Sequence, residues 1–407
     1  MSATARFTAR RVLLPGGEWL ENGVVEARDG VITDVRPRGV FEGCENLQEW
    51  PDCAILPGFI NAHCHLEYSA MHGLLQPAAF TDWLFQIVRL KSELSEETLR
   101  AALPGAIEQI IRSGTTTLVD NLSLDITQEA LLQSGLDAYY LFELIESRPE
   151  DWPAQMAEEA LARRMRGYPL NKAGFAPHAP YSIHVDLFRS AAERALEYRW
   201  PLSIHVSETL EENEFFLKGG GPFYELKRRF ASLPSDWSVP GCSPLQHLDA
   251  HGLLDFKPLI VHANCPEPGD AVLLGRNGLS VVFCPGTHRY FNRAPWPMTA
   301  YRQAGVNVCI GTDSLASNES LDLTRELQLT HELHPDLSSE ELLAMITESP
   351  AAALNFPDKG RIHSGCRADF SIWRWPYANL MEWIEDAQRQ CLAVFAAGRS
   401  IACNALF

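Results

Sequence analysis

Histidine and acidic residues recur at the ends of short apolar runs in this chain. His63 and His65 stand two positions apart at the end of the first run, His205 ends a later run and Asp313 ends the last one. On an extended backbone, side chains two positions apart project to the same side, so the first two imidazoles can bind one cation together. Three neutral imidazoles and one carboxylate form a ligand set that suits zinc or ferrous iron. The sequence therefore predicts a metal site.

Two further polar residues follow apolar runs and predict acid–base chemistry. Glu208 comes three residues after His205, where its carboxylate can lean over a bound metal and move a proton. His262 ends the otherwise apolar run PLIVHAN, and we expect it to contact the substrate or an attacking hydroxide. For each residue taken alone the alternative is structural: an exposed loop acid for Glu208 and a satisfied core histidine for His262.

The elements that must position these residues are eight apolar runs that alternate with helical patterns. Residues 154–166 and 186–198 have the helical spacing of apolar residues at three and four positions. Buried strands alternating with helices are typical of an α/β fold, here a (β/α)8 TIM barrel, and a doubly wound open sheet is the second choice. The predicted strands are GFINAH, TTTLVDN, DAYYLFELI, KAGFAPH, PLSIHVSE, PLIVHAN, LSVVFCP and NVCIGTD.

The two ends of the 407-residue chain differ from its middle. Residues 1–57 read as short strands and turns, including an Asp29-Gly30 hairpin signal, and the tail returns to strand-like sequence in ADFSIWRW and CLAVFAAGRSIAC. We predict that residues 1–57 and 358–407 form one small composite β-sandwich domain. Residues 58–357 would then form the metal-dependent catalytic barrel.

Composition excludes several classes of partner. The formal net charge of −18 opposes broad contact with nucleic acid polymers or anionic membrane surfaces. No apolar run approaches the ~20 residues of a membrane span, and the first residues lack the pattern of a signal peptide. The ten cysteines are scattered without a C-x-x-C pair, which predicts neither a disulfide framework nor a thiolate zinc site. We expect a cytoplasmic protein.

The ordered motifs LPGFINAHCHLEYS, HVSET, VHAN and GTDSLASN resemble those of the amidohydrolase superfamily. The chain is most similar to the branch that contains cytosine, guanine and adenosine-type deaminases and triazine chlorohydrolases. The tail, from PAAALNF to KGRIHSGCRADFSIW, also resembles the segment in which the chain of that family leaves the barrel and re-enters the β-sandwich domain. The stretch HLEYS with the later FTDWL is similar to aminodeoxyfutalosine deaminases.

The resemblance implies specific roles for the residues that match. His63, His65, His205 and Asp313 would be the metal ligands, Glu208 the proton shuttle, and His262 the group that hydrogen-bonds the hydroxide or the substrate. Relatives with two metals use a carboxylated lysine at the end of the fourth strand. The lysine near that strand is Lys172, six residues before His178 and so ~20 Å away at the wrong end. The resemblance therefore implies one divalent metal ion, Zn²⁺ or alternatively Fe²⁺.

The implied reaction is hydrolytic deamination of an aminated heteroaromatic with release of ammonia. Glu208 would protonate a ring nitrogen while hydroxide attacks the carbon that bears the amino group; Asp313 would accept the remaining proton and His262 would hold the attacking oxygen. Candidate substrates are aminodeoxyfutalosine, adenosine, S-adenosylhomocysteine or a free nucleobase. Alternatives are a triazine chlorohydrolase, an amide or cyclic-amide hydrolase, and a catalytically inactive metal-binding protein. The resemblance also implies a homo-oligomer, a dimer or higher.

Loops after the strands should form the substrate pocket. In the loop after the seventh strand the chain departs from the family pattern at Cys284-Pro285-Gly286-Thr287-His288, so specificity cannot be transferred from the best-known members. His288, Arg289 and Arg293 are cationic or hydrogen-bonding candidates for a polar tail of the substrate, and the ring of Trp83 could stack on the heterocycle. The predicted substrate-binding residues are Glu67, Trp83, His178, Tyr181 and His288.

Overall fold

The computed structural model describes residues 4–41, 47–145, 165–230, 232–233 and 237–403. The strands, β1 to β15 in chain order, are Thr4–Leu13, Trp19–Arg28, Val31–Pro37, Leu47–Pro57, Phe59–Cys64, Thr115–Leu122, Asp137–Leu144, Ala173–Pro177, Ser203–Val206, Leu259–His262, Ser280–Phe283, Asn307–Ile310, Phe370–Arg374, Cys391–Ala396 and Arg399–Cys403. The α-helices, α1 to α14 among the described residues, are Phe80–Glu93, Glu96–Arg112, Gln128–Ser134, Val185–Tyr198, Leu210–Lys218, Gly221–Arg229, Pro244–Ala250, Asp270–Arg276, Pro285–Tyr290, Met298–Gln303, Leu323–Leu333, Ser339–Ala344, Glu348–Ala353 and Leu380–Glu385.

The strands from β5 to β12 form a closed barrel. They are paired in parallel as two four-stranded sheets, β5-β6-β7-β8 and β9-β10-β11-β12. A parallel bridge between Phe175 and Leu202 closes one seam, and a bridge between Cys64 and Asp313 closes the other. All eight predicted runs supply these strands, in the predicted order, which confirms the (β/α)8 barrel.

Successive side chains along each barrel strand point alternately into the barrel interior and toward the surrounding helices. Ile60, Val119, Leu141, Val261 and Val282 belong to one buried cluster contributed by strands around the barrel. Their neighbours along the strands belong to a second cluster that includes residues of the surrounding helices. Because both faces are covered, the strands are apolar throughout, as in other parallel sheets.

The predicted helix over residues 186–198 is observed as α4, Val185–Tyr198, with Leu187, Phe188 and Ala191 buried on one face. The helix predicted over residues 154–166 lies mostly outside the described residues. The described cysteines are free thiols. Within the described ranges, every helix is too short or too polar to cross a lipid bilayer.

Both ends of the chain contribute to one seven-stranded mixed sheet with the order β15-β14-β13-β4-β1-β2-β3. Its core is aromatic: the ring of Phe7 from β1 lies 4.8 Å from that of Phe370 and 4.7 Å from that of Phe395. Asp29 and Gly30 both have positive φ between β2 and β3, as the predicted Asp-Gly hairpin requires. Strands from both ends of the chain therefore meet in one sheet, as the sequence predicts.

A buried ionic cluster ties the barrel to the terminal sheet. Lys359 Nζ lies 2.6 Å from Asp137 Oδ2 at the start of β7 and 2.9 Å from Asp369 Oδ2 beside β13. It also donates to the hydroxyl of Thr117 at 3.0 Å. The lysine is 3% exposed, so its positive charge compensates two carboxylates that water does not reach.

Replacing this lysine should destabilise the protein strongly. We expect Lys359→Met to lower the free energy of unfolding by ~3 kcal/mol, because Asp137 and Asp369 lose the buried cation that they share and keep only the more exposed Lys172 and Arg367 beside them. Urea unfolding followed by circular dichroism measures the change. The control is Arg361→Met at a nearby exposed arginine, which should change the value by less than ~0.5 kcal/mol. Equal effects of the two substitutions would contradict this role for Lys359.

Candidate metal centre and active site

Three imidazoles converge at the carboxyl ends of the barrel strands. Nε2 of His205, in β9, lies 3.3 Å from Nε2 of His63 and 3.3 Å from Nε2 of His65. Nδ1 of His205 is 2.8 Å from the carbonyl oxygen of His178, so Nδ1 carries the proton and Nε2 presents a lone pair. A tetrahedral zinc with Zn–N bonds of ~2.0 to 2.1 Å places its nitrogen ligands ~3.3 to 3.4 Å apart. The spacing of these nitrogens fits that geometry.

Two more groups from neighbouring strands face this cluster. Asp313 Oδ1 lies 3.8 Å from His63 Nε2, and Asp313 Oδ2 lies 3.9 Å from His262 Nε2. His262 has φ 73° and Asp313 has φ 55°, left-handed conformations that cost non-glycine residues about 1–3 kcal/mol each. The surrounding barrel maintains this strain at the site where the side chains converge.

Burial sets the charge state of the cluster. Burial first, and then the neighbouring imidazoles, hold the pKa of His63, His65 and His262 well below the ordinary value, so these rings are neutral. Burial, reinforced by the nearby charge of Glu208, raises the pKa of Asp313 to about 7. Neutral imidazoles and buried carboxylates leave lone pairs and negative charge in one place, an environment that suits a divalent cation.

Close contact between the first and last barrel strands positions two of these residues. Asn61 Nδ2 donates to the hydroxyl of Thr312 at 2.8 Å, and the Thr312 amide donates back to Asn61 Oδ1 at 3.2 Å. A Cβ at Gly311 would lie 2.8 Å from the carbonyl oxygen of His63, so this position requires glycine. The seam thereby brings His63 close to Asp313, whose amide donates to the His63 carbonyl at 3.1 Å.

Glu208 is placed by the start of helix α5. Thr209 caps the helix by accepting from the Glu212 amide at 3.1 Å, and the Glu212 carboxylate accepts from the Glu208 amide at 2.8 Å. The Glu212 side chain thus holds the residue that precedes the N-cap Thr209. Asn264, after β10, donates to the Glu208 carbonyl at 3.1 Å. The carboxylate of Glu208 then reaches to 3.7 Å from His262 Nε2, where a proton shuttle was predicted.

A cavity of about 500 Å³ opens onto the cluster, and His65, His205, Glu208, His262 and Asp313 all line it. Three of the predicted substrate-binding residues, Trp83, His178 and Tyr181, also line this cavity. Trp83 Nε1 donates to the carbonyl of Ala316 at 3.3 Å, and His178 Nδ1 lies 2.6 Å from the hydroxyl of Ser182. Their rings are therefore fixed at the wall of the cavity.

The other two predicted substrate-binding residues lie elsewhere. Glu67 is absent from the cavity wall; its buried carboxylate accepts hydrogen bonds from the amides of Ser123 and Leu124. It thus anchors the loop after β5 to the segment after β6, because a buried carboxylate needs hydrogen-bond donors within the protein. His288 lies on α9 with its ring 5.5 Å from that of Phe283, also outside the cavity wall. Both residues thus lie away from the described cavity wall, and substrate contact stays a prediction for them.

The unusual segment 284–288 begins helix α9. The Gly286 amide donates to Glu326 Oε2 at 2.7 Å, and a Cβ at Gly286 would lie 2.2 Å from Asn318 Oδ1. The two arginines proposed for a substrate tail separate: the side chain of Arg289 is 64% exposed, whereas that of Arg293 is 10% exposed and lies 2.7 Å from the Glu208 carboxylate. The segment therefore packs against Asn318 and Glu326, outside the cavity.

Sequence reasoning missed several polar residues of the cavity wall, among them Glu143 and Lys91. Glu143, in β7, has Oε1 3.9 Å from Nδ1 of His65. Lys91, on α1, donates to the hydroxyl of Ser123 at 2.6 Å and to that of Tyr68 at 3.3 Å. A lone acid inside the apolar run DAYYLFELI was a usable signal for Glu143, because buried charges in strands are rare.

The ligand types available favour a single ion. Lys172 immediately precedes β8, at the end opposite to His178, and pairs with Asp137 at the start of β7. It therefore cannot serve as a carboxylated bridging ligand at the histidine cluster. Nitrogen ligands within this short mutual distance, with an adjacent carboxylate, match the donors that zinc prefers.

The fold and the site define a barrel hydrolase with a histidine-rich site for a metal. The sequence profile of the amidohydrolase family matches residues 54–400. The chain therefore belongs to the amidohydrolase family, whose members with deaminase activity hydrolyse carbon–nitrogen bonds other than peptide bonds.

Individual relatives and structures agree with this family. The chain is 30% identical over 349 residues to the 5-methylthioadenosine/S-adenosylhomocysteine deaminase of Thermococcus kodakarensis, covering 82% of this chain and 77% of the relative. The Helicobacter pylori aminofutalosine deaminase in complex with methylthio-coformycin has a TM-score of 0.86 and 24% identity, covering 97% and 99% of the two chains. An adenosine deaminase from Xanthomonas campestris with bound zinc has a TM-score of 0.81 and 25% identity, covering 97% and 92%.

Metal binding should depend on the converging imidazoles. We expect purified protein to hold about one equivalent of zinc and His205→Ala to lose it, because that ring contributes a nitrogen to the converging set. His178→Ala, which removes a cavity-wall imidazole and keeps the backbone carbonyl, should retain the metal. Elemental analysis of dialysed protein measures both. Metal loss from His178→Ala with retention in His205→Ala would place the ion elsewhere.

Proposed function

We propose that this protein is a metal-dependent deaminase of adenine-type nucleosides that carry a bulky, mainly apolar substituent. The observation that carries the proposal is the position of Glu208: a buried acid beside His262, at the end of a cavity lined by the histidine cluster. Deaminase relatives over most of the chain support the same reaction class.

In this proposal the ligands of the ion are His63, His65, His205 and Asp313, and the ion is a single Zn²⁺. When bound, the ion lowers the pKa of a coordinated water toward ~7, so that hydroxide is available at neutral pH. The low pKa of the buried histidines keeps them neutral and able to ligate at that pH.

The remaining residues move protons. Glu208 takes up the first proton of the water and delivers it to the ring nitrogen next to the carbon that bears the amino group, which makes that carbon more electrophilic. His262, 3.9 Å from Asp313 and 3.7 Å from Glu208, hydrogen-bonds the attacking oxygen. Asp313 accepts the second proton of the water and returns it to the amine. A carbon–oxygen bond forms, the carbon–nitrogen bond breaks, and water and the amine yield the oxo product and ammonia.

The outer part of the cavity supports a substrate larger than a free base. Its wall includes Val88, Ile145 and Phe230, which are 50%, 49% and 43% exposed and therefore stand near the mouth. An adenine ring against the inner histidines would leave this apolar region for a substituent on the sugar. 5-Methylthioadenosine, with an uncharged methylthio group, fits this description better than S-adenosylhomocysteine, whose tail is a charged amino acid.

Ammonia release by zinc-loaded protein tests the function. The panel comprises aminodeoxyfutalosine, 5-methylthioadenosine, S-adenosylhomocysteine, adenosine, guanine, cytosine and aminotriazines. We expect release from an adenine nucleoside, and we expect Glu208→Gln to lower kcat by ~10²- to 10⁴-fold, the usual contribution of a positioned proton shuttle. No release from any compound by protein that holds its metal would contradict the proposal.

The apolar mouth should govern the size of the accepted substituent. We expect Val88→Glu to raise KM about 10-fold for the preferred extended nucleoside, because an added charge disfavours apolar contact, and to leave adenosine nearly unaffected. Leu132→Glu, at a leucine of similar exposure on α3, is the matched control. Steady-state kinetics on the two substrates measure the difference, and an equal rise in KM for adenosine would argue against a distinct outer region.

Two expectations from the sequence also remain proposals. We propose that residues 1–57 with 358–407, and residues 58–357, are the domain boundaries, since β4 ends at Pro57 and β5 begins at Phe59. We further propose that the protein is a homo-oligomer.

A further inference from the structure

The carboxylate of Glu208 faces two different partners. Glu208 Oε1 lies 2.7 Å from Nη2 of Arg293, whereas Oε2 lies 3.7 Å from Nε2 of His262. The side chain of Glu208 is 8% exposed and that of Arg293 is 10% exposed. One oxygen is therefore held in a partly buried, charge-assisted hydrogen bond, and the other is directed toward the reacting groups.

The guanidinium of Arg293 is itself held in place. Its Cζ lies 4.7 Å from the ring centre of Phe291 and 5.6 Å from that of Phe80. The Arg293 amide donates to the carbonyl of His288 at 3.2 Å. Both aromatic rings line the cavity, whereas Arg293 lies behind them and is absent from the cavity wall. Arg293 is thus placed to act on the acid and not on the substrate.

A proton shuttle must present the same oxygen to the proton source and to the acceptor. A carboxylate that rotates freely exchanges its oxygens and spends time in unproductive orientations, and misplacement of a reacting group by about 1 Å can cost ~10²-fold in rate. An arginine paired with one oxygen prevents that rotation, because its planar N–H donors have a fixed direction.

We propose that Arg293 is a positioning residue of the reaction: by binding Oε1 of Glu208 it leaves Oε2 as the oxygen that carries the proton. This inference rests on the proposed deaminase function. It assigns a role to the loop after β11 in which the sequence departs from the family pattern, where a contact with a substrate tail was predicted.

The test is a double-mutant cycle on the zinc-loaded enzyme with its best substrate. The variants are Arg293→Met, Glu208→Gln and the two combined, and Arg276→Met, an exposed arginine paired with Asp249, is the control. Acting through Glu208, Arg293→Met should lower kcat by ~30-fold or more with KM within ~3-fold, and should raise the solvent isotope effect. Added to Glu208→Gln, it should lower kcat by less than ~3-fold.

A second substitution keeps the test valid where Arg293→Met fails to fold. Arg293→Lys retains the positive charge without the planar donors, so in the same cycle it should lower kcat in the Glu208 background and leave the Glu208→Gln background nearly unchanged. Equal losses in both backgrounds, or a change confined to KM, would overturn the inference. If the parent enzyme is active, Glu208→Gln is inactive and Arg293→Met is fully active, the inference about Arg293 is refuted and the proposed function stands. If the parent enzyme shows no turnover, the proposed function is contradicted as well.

Discussion

The site depends on one electrostatic constraint: neutral imidazoles and carboxylates are buried together at one end of the barrel. Burial keeps His63, His65 and His262 uncharged and raises the pKa of Asp313 to about 7. Such a group is costly to assemble without a cation, because water no longer solvates the carboxylates. The proposed zinc supplies that charge, and the hydrogen bond of His205 to the His178 carbonyl directs a lone pair toward it.

The barrel makes this arrangement possible because the ends of its parallel strands meet at one face. The close seam at Gly311 and the left-handed backbone of His262 and Asp313 bring together side chains that are distant in sequence. The free-energy cost of this strained backbone is offset by the rest of the fold, including the interior apolar cluster and the ionic cluster around Lys359 that joins the terminal sheet to the barrel. Stability away from the site thus supports strain at the site.

Much of the barrel and of the histidine cluster could be predicted, because the pattern of apolar residues indicates where each strand lies and where it ends. His63, His205, His262 and Asp313 end apolar runs, so the barrel geometry alone brings them together. Loop residues were harder: Glu67 and His288 follow strands but turn into the protein, since the direction of a loop side chain depends on which donors or rings lie nearby. Spacing also does not encode the pairing of Arg293 with Glu208, which joins loops after two different strands.

The structure points to one ion at the position that three imidazole nitrogens share. Anomalous diffraction at the zinc edge from crystals of the zinc-loaded protein locates that ion. We expect a single peak per chain within ~2.0 to 2.2 Å of Nε2 of His63, His65 and His205 and of a carboxylate oxygen of Asp313. A peak between Glu143 and His178 instead, or two peaks in the barrel mouth, would contradict it.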